Sequence, residues 1–190
     1  MRQHIKAWVA ALTACVALAG CVGQPIVGFT PTPSQTLDPA TMSSTDLYNY
    51  AVTRYKVLHG MIIDMELQGG AAMLPAQFRD YLMEPAWSSV NDVYNHWFVT
   101  GVHYDGVPTF KLMAVGPWRA DDDPPGTLTA VETCELAEGA AEVDGNGTVI
   151  ADASPFIMHR RMFFNRDPTD GQLKVFKFWG EGVATCPIAS

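Results

Sequence analysis

The sequence predicts an α+β domain, with N-terminal helices packed on a curved antiparallel sheet, carried behind an exported leader and a tether. Three observations predict it. Between positions 45 and 98 apolar residues recur at three- and four-residue spacing. Beyond Gly101 that period gives way to extended segments separated by turn dipeptides. Once the leader is removed, Cys134 and Cys186 are the two cysteines left after Cys21. Helices first and strands afterwards is the order of an α+β layer architecture.

The chain begins with a basic start, Arg2 and Lys6, followed by the apolar run Trp8 to Ala19 and the small-residue site Leu18-Ala19-Gly20 before Cys21. The run is about 12 residues, too short for the roughly 20 that span a bilayer. The tetrapeptide resembles a bacterial lipoprotein lipobox, which implies that Cys21 becomes the first mature residue and carries lipid. Residues 1–20 are therefore read as a signal peptide and residues 21–42 as the lipidated cysteine with a flexible tether, rich in Pro, Thr, Ser and Gly. Residues 43–190 are the folded domain. The expected location is the extracytoplasmic face of the cell membrane.

The full chain of 190 residues has a net charge of −8, and loss of Arg2 and Lys6 makes the mature chain more acidic still. A phosphate backbone would be repelled, so nucleic acid is not an expected partner. Asp121-Asp122-Asp123, followed by Pro124-Pro125-Gly126, reads as a solvated turn rather than a metal site. No metal or cofactor is expected. An exported location permits a Cys134–Cys186 disulfide; two free thiols remain the competing reading.

Ser44 or Thr45 is a suitable cap for a helix from about 45 to 67. Leu47, Tyr50, Ala51, Arg54, Tyr55, Leu58, Met61, Ile62 and Met65 recur at three- and four-residue intervals and form its apolar stripe, Gly60 is a weak spot, and Gly69-Gly70 ends it. A second helical region runs from Pro75 to about Met83, and a third from Ala86 to Phe98 carries Trp87, Val90, Val93, Tyr94 and Trp97. Val107 to Ala114, Thr127 to Leu136, Phe156 to Asn165 and Leu173 to Val183 read as strands, with Thr148 to Ile150 a short one. Asp167 to Gly171 turns the last hairpin.

With the helical first half, the Val131 to Glu135 strand, the Asp144-Gly145-Asn146-Gly147 turn and a closing Lys174 to Cys186 strand bearing Trp179, residues 43–187 resemble the NTF2-like superfamily. The likeness is to small actinobacterial cell-envelope lipoproteins of that fold. It implies a cone-shaped sheet around a pocket, in a superfamily that includes isomerases, hydratases, binding proteins and structural adaptors. Candidate pocket walls are Tyr55, Trp87, Trp97, Met113, Phe156 and Phe178. The resemblance implies a His or Asp general acid–base for an enzymatic member, and the weak candidates are His59 and the pair Asp92 and His96, which share a helix face. The relatives' catalytic arrangement has no residue-by-residue match. On a strand, His159 and Arg161 face one way and Arg160 the other, and pairing with acidic neighbours is expected. The expected function is a non-catalytic, membrane-anchored envelope lipoprotein that binds a small apolar ligand or an envelope protein. An NTF2-like enzyme and a phage- or prophage-encoded exclusion lipoprotein are the alternatives.

Overall fold

A computed structural model describes residues 38–117 and 123–188. The leader, Cys21, most of the tether, Asp121 and Asp122 lie outside the described residues. The first described segment is a 3-10 turn at Pro39–Thr41 with Pro39 buried.

Helix α1 spans Ser44–Leu67. Its cap is Ser43, whose hydroxyl accepts the Asp46 N–H at 3.1 Å, one residue ahead of the expected Ser44 or Thr45. Leu47, Ala51, Tyr55, Leu58 and Met65 are its buried stripe. At the far end Gly70 has φ +82°, and a Cβ there would stand 2.2 Å from the Tyr94 carbonyl oxygen. Only glycine allows that approach, and the next residue, Ala71, donates its N–H to the same carbonyl at 3.1 Å.

The helix expected from Pro75 to Met83 is only a 3-10 turn, Ala76–Asp80. The backbone after it serves a strand edge instead: Met83 N–H donates to Val175 O at 3.0 Å and Val175 N–H to Tyr81 O at 2.9 Å. These bonds use the groups that a continuing helix would need. Helix α2 then spans Ala86–Thr100 and buries Ala86, Val90 and Tyr94, one per turn. Gly101, at φ 68°, closes it in the left-handed conformation.

Five antiparallel strands follow: β1 His103–Pro117, β2 Thr129–Val143, β3 Val149–Ala151, β4 Phe156–Arg166 and β5 Leu173–Val183. Their order is β1-β2-β4-β5, and β3 pairs with β2 beyond the end of β4. Asp144 shapes the β2–β3 turn by accepting the N–H groups of Asn146 and Thr148, each at 2.8 Å. Those bonds hold its carboxyl below the usual carboxylate range.

The register sorts β2 into two faces. Val131, Thr133 and Glu135 stand opposite Met162, Arg160 and Met158 of β4; Val131 and Met162 belong to the core shared with α1 and α2. Cys134 stands opposite His159 on the other face. There Cys134 is bonded to Cys186, three residues past β5, with Cα atoms 5.8 Å apart. The segment continues across β1, where Ile188 packs over Gly116.

The α+β class stands, but the NTF2-like cone does not. The sheet is open and not strongly curled, with β1 and β5 as its separate edges. Two helices cover one face and the disulfide-tied C-terminal segment runs over the other. The strand, turn and closing-strand features that suggested a cone are local, and local features do not set whether a sheet curls. No helix among the described residues is long and apolar enough to cross a membrane.

Gly60 is exposed in the interior of α1, and a Cβ there would meet nothing within 4 Å. Gly60→Ala is expected to stabilise the fold by about 1 kcal/mol, through helix propensity alone. Urea unfolding with an unchanged slope is the check.

Candidate functional site

The apolar stripe of α1 has a polar companion. Tyr55, His59, Ile62 and Glu66 follow one another at spacings of four, three and four, which puts all four on one side of the helix. That side, with Val90, Val93 and Tyr94 of α2 and Arg160, Met162, Val175 and Phe178 of the sheet, encloses a cavity of about 220 Å³. Val93 is 50% exposed and Phe178 40%, so these two stand where the cavity meets solvent. The remaining walls are largely apolar.

Glu135 is the most deeply buried carboxylate of the site, 3% exposed. Its Oε1 accepts Nη1 of Arg160 at 2.7 Å, and its Oε2 is bound by His59 Nε2. Arg160 stands opposite Thr133 in the register, so Glu135 is its diagonal neighbour, within reach of a long side chain. Burial pushes the Glu135 carboxyl up, but the His59 hydrogen bond and the Arg160 charge more than offset this and hold it below the usual range. Beside them the Tyr55 hydroxyl donates to Thr133 Oγ1 at 3.3 Å.

Glu66 is a separate polar centre. Tyr94 donates its hydroxyl to Oε1 at 3.1 Å and Tyr104 donates to Oε2 at 3.4 Å. Trp97 lies between the two phenols, edge-on to both, with ring centroids 6.0 and 5.9 Å away. Among the described residues no Lys, Arg or His forms an ion pair with Glu66. Burial raises its carboxyl above the usual range against the pull of Arg160 and the Tyr94 hydrogen bond. Both phenols are raised too, first by burial and then by the charge of Glu66, so they remain protonated donors.

Of the residues expected at a pocket, Tyr55, Phe178 and His59 line this cavity. Trp87 instead packs beneath the Arg79 guanidinium, 3.8 Å from its ring centroid. Trp97 stands behind Glu66 rather than at the cavity wall. Met113 is exposed, and Phe156 lines a separate shallow cleft of about 30 Å³. Asp92 and His96 are both exposed and make no ion pair with each other. The alternation read for residues 159–161 holds: His159 and Arg161 lie opposite to Arg160. His159 Nε2 is 2.6 Å from Glu132 and Nδ1 is 3.7 Å from Glu181. Glu66, Glu135 and Tyr104 were not singled out from the sequence. The spacing from Ile62 and the strand alternation from Thr133 were the available signals. Among the described residues no group of three or more His, Cys, Asp or Glu side chains suits a metal ion.

Comparison of the sequence with protein-family models and with curated proteins gives no match.

The raised carboxyl of Glu66 makes its ionisation a burden on the folded state, since its folded pKa lies above its unfolded one. Below the ordinary glutamate range both states are protonated and Glu66→Gln gains nothing. As pH rises from that range through the raised one, the unfolded chain ionises first and the native protein loses stability relative to the variant. Above it the difference is constant. Thermal unfolding of both proteins between about pH 4 and pH 8 reads this directly. Parallel curves across that interval would show that Glu66 is not strained by burial.

Proposed function

We propose that this protein is a lipid-anchored extracytoplasmic binding protein, whose cavity between α1, α2 and the sheet takes a small, mostly apolar molecule. The observation that carries the reading is the cavity itself: apolar walls with a few polar groups already fixed in place by the fold. That is the usual composition of a small-molecule site. The volume of about 220 Å³ lies just below the roughly 300 Å³ at which drug-sized pockets begin, so the ligand is small.

Anchoring rests on Cys21 and the leader before it, which lie outside the described residues. A second acyl chain makes attachment stable where one is marginal, because each buried CH₂ contributes about 0.8 kcal/mol. A membrane surface also concentrates apolar molecules, which suits a tethered domain with an apolar cavity.

An acid–base enzyme is the second reading, favoured by Glu66, a carboxyl raised by burial at a cavity wall. Binding is preferred over it because the other titratable groups are already committed. His59 and Arg160 are both engaged by Glu135, and the phenols that touch Glu66 are raised out of the working range. A proton-transfer partner for Glu66 is therefore missing among its neighbours.

Native mass spectrometry of the protein recovered from its own envelope is expected to show a retained small molecule of low mass. Recovery of ligand-free protein that also fails to take up small apolar compounds would end the reading. For the anchor, Cys21→Ser is expected to move the protein from the detergent phase to the aqueous phase, and unchanged partitioning would remove lipidation.

A further inference from the structure

The charges around the cavity are unequally matched. Glu135 has two basic partners, Arg160 and His59. Glu66 has two neutral donors, the hydroxyls of Tyr94 and Tyr104, one on each oxygen. A carboxylate offers about four acceptor sites, so two phenols do not exhaust it. A partly buried carboxylate is costly to ionise without an opposite charge, and among the described residues no Lys, Arg or His forms an ion pair with Glu66, which is half-buried. Arg160 influences Glu66 only from a distance, because its guanidinium is held on Glu135 at 2.7 Å.

We infer that the molecule taken by this cavity is a small apolar amine, bound with its ammonium group on Glu66 and its apolar body between α1, α2 and the β4–β5 hairpin. The inference rests on the reading of the cavity as a binding site and names the ligand's chemical class. Three features favour a cation over an anion or a neutral molecule. Glu66 lines the cavity. An anionic ligand, by contrast, would reach Arg160 only beside Glu135 and would face Glu66 as a like charge. Tyr55, Tyr94 and Phe178 line the cavity, and aromatic rings attract an ammonium. The chain's net charge of −8 adds a field that draws cations.

Size narrows the class further. A cavity of about 150 Å³ holds benzene, so the volume here takes roughly nine non-hydrogen atoms by proportion. The body is then one aromatic ring with a short arm, or an alkyl chain of similar bulk.

The probes are 2-phenylethylamine, the neutral 2-phenylethanol and the anionic phenylacetate, titrated by calorimetry into the purified full chain at neutral pH. The amine is expected to bind at least about tenfold more tightly than either analogue, the worth of one charge-assisted contact. Glu66→Gln is expected to erase that advantage while leaving 2-phenylethanol within about twofold. If Glu66→Gln does not fold, Glu66→Asp serves in its place, and the shorter arm should reduce the amine preference by several-fold. Phenylacetate or 2-phenylethanol binding as well as the amine, or an amine preference that survives both substitutions, overturns the inference and leaves the binding reading intact. Failure of all three probes to bind the wild-type chain removes the binding reading, and the amine with it.

Discussion

The helix-facing side of this sheet is organised around one buried carboxylate. Glu135 is placed on the inner face by the alternation of β2, and its charge has to be met there. The two groups that meet it come from different elements, His59 from α1 and Arg160 from β4. The requirement is stringent: leaving one member of a buried pair without its partner costs on the order of 3–5 kcal/mol. A one-residue slip of β4 against β2 would turn Arg160 to the opposite face. A slip of α1 by one turn would carry His59 away from Glu135. The ion pair and hydrogen bond therefore select the register of the sheet and the seat of the helix together. The apolar contacts of Val131, Met162, Tyr55 and Leu58 supply the bulk of the burial but would tolerate more variation.

The same strand is sealed on its other side by covalent means. Cys134, next to Glu135, faces away from the helices and holds Cys186. Residues beyond β5 are thereby drawn back over the sheet. His159 lies beside this bond, opposite Cys134 in the register, and is 2% exposed. Its ring stands edge-on to Trp179, with centroids 5.7 Å apart, and the Arg161 guanidinium lies over the same indole at 4.5 Å. The far face is held by this covalent tie and its charged and aromatic contacts, whereas the helices cover the near one. A disulfide closing a loop of this length contributes about 4 kcal/mol in the chain-entropy treatment, comparable with the whole effect of a buried ion pair on the opposite face.

What could be read in the sequence follows the range of the forces involved. The stripe of α1 and the strands β2, β4 and β5 rest on periodicity within a single element, and they were legible. So was the cysteine pair, because removal of the leader leaves few choices. His59 was legible as a candidate because it is a histidine near the apolar stripe of α1. Glu66 obeys the same spacing, yet a charged residue at a helix end ordinarily faces water, and only the distant phenols of Tyr94 and Tyr104 explain its burial. Glu135 is paired to Arg160 across 25 residues of sequence, a contact that depends on register. Asp92 and His96 show the converse: the helical rule brought them to one face, but which face of α2 meets the sheet is decided by Ala86, Val90 and Tyr94. The cone failed for the same reason, since closure depends on strand order and on what covers each face.

The two faces also differ in how their charged groups are placed. On the far face His159 has Glu132 at one ring nitrogen and Glu181 toward the other, and Arg161 is 3.6 Å from Glu132. Acid and base are interleaved there, next to the disulfide. On the near face the paired set of Glu135, Arg160 and His59 stands beside Glu66, which has two hydroxyl donors but no ion-pair partner among the described residues. Burying Glu66 in this way opposes folding when it ionises, and packing alone offers no compensation, because an apolar residue would fill the same place without the penalty. A compensating charge brought by a ligand would convert that penalty into affinity, since the carboxylate would already be oriented by Tyr94 and Tyr104 and would lose little freedom on binding. The near face thus carries a carboxylate without an ion-pair partner among the described residues at the wall of a cavity open to solvent, whereas on the far face the buried imidazole has Glu132 at 2.6 Å from Nε2 and Glu181 at 3.7 Å from Nδ1.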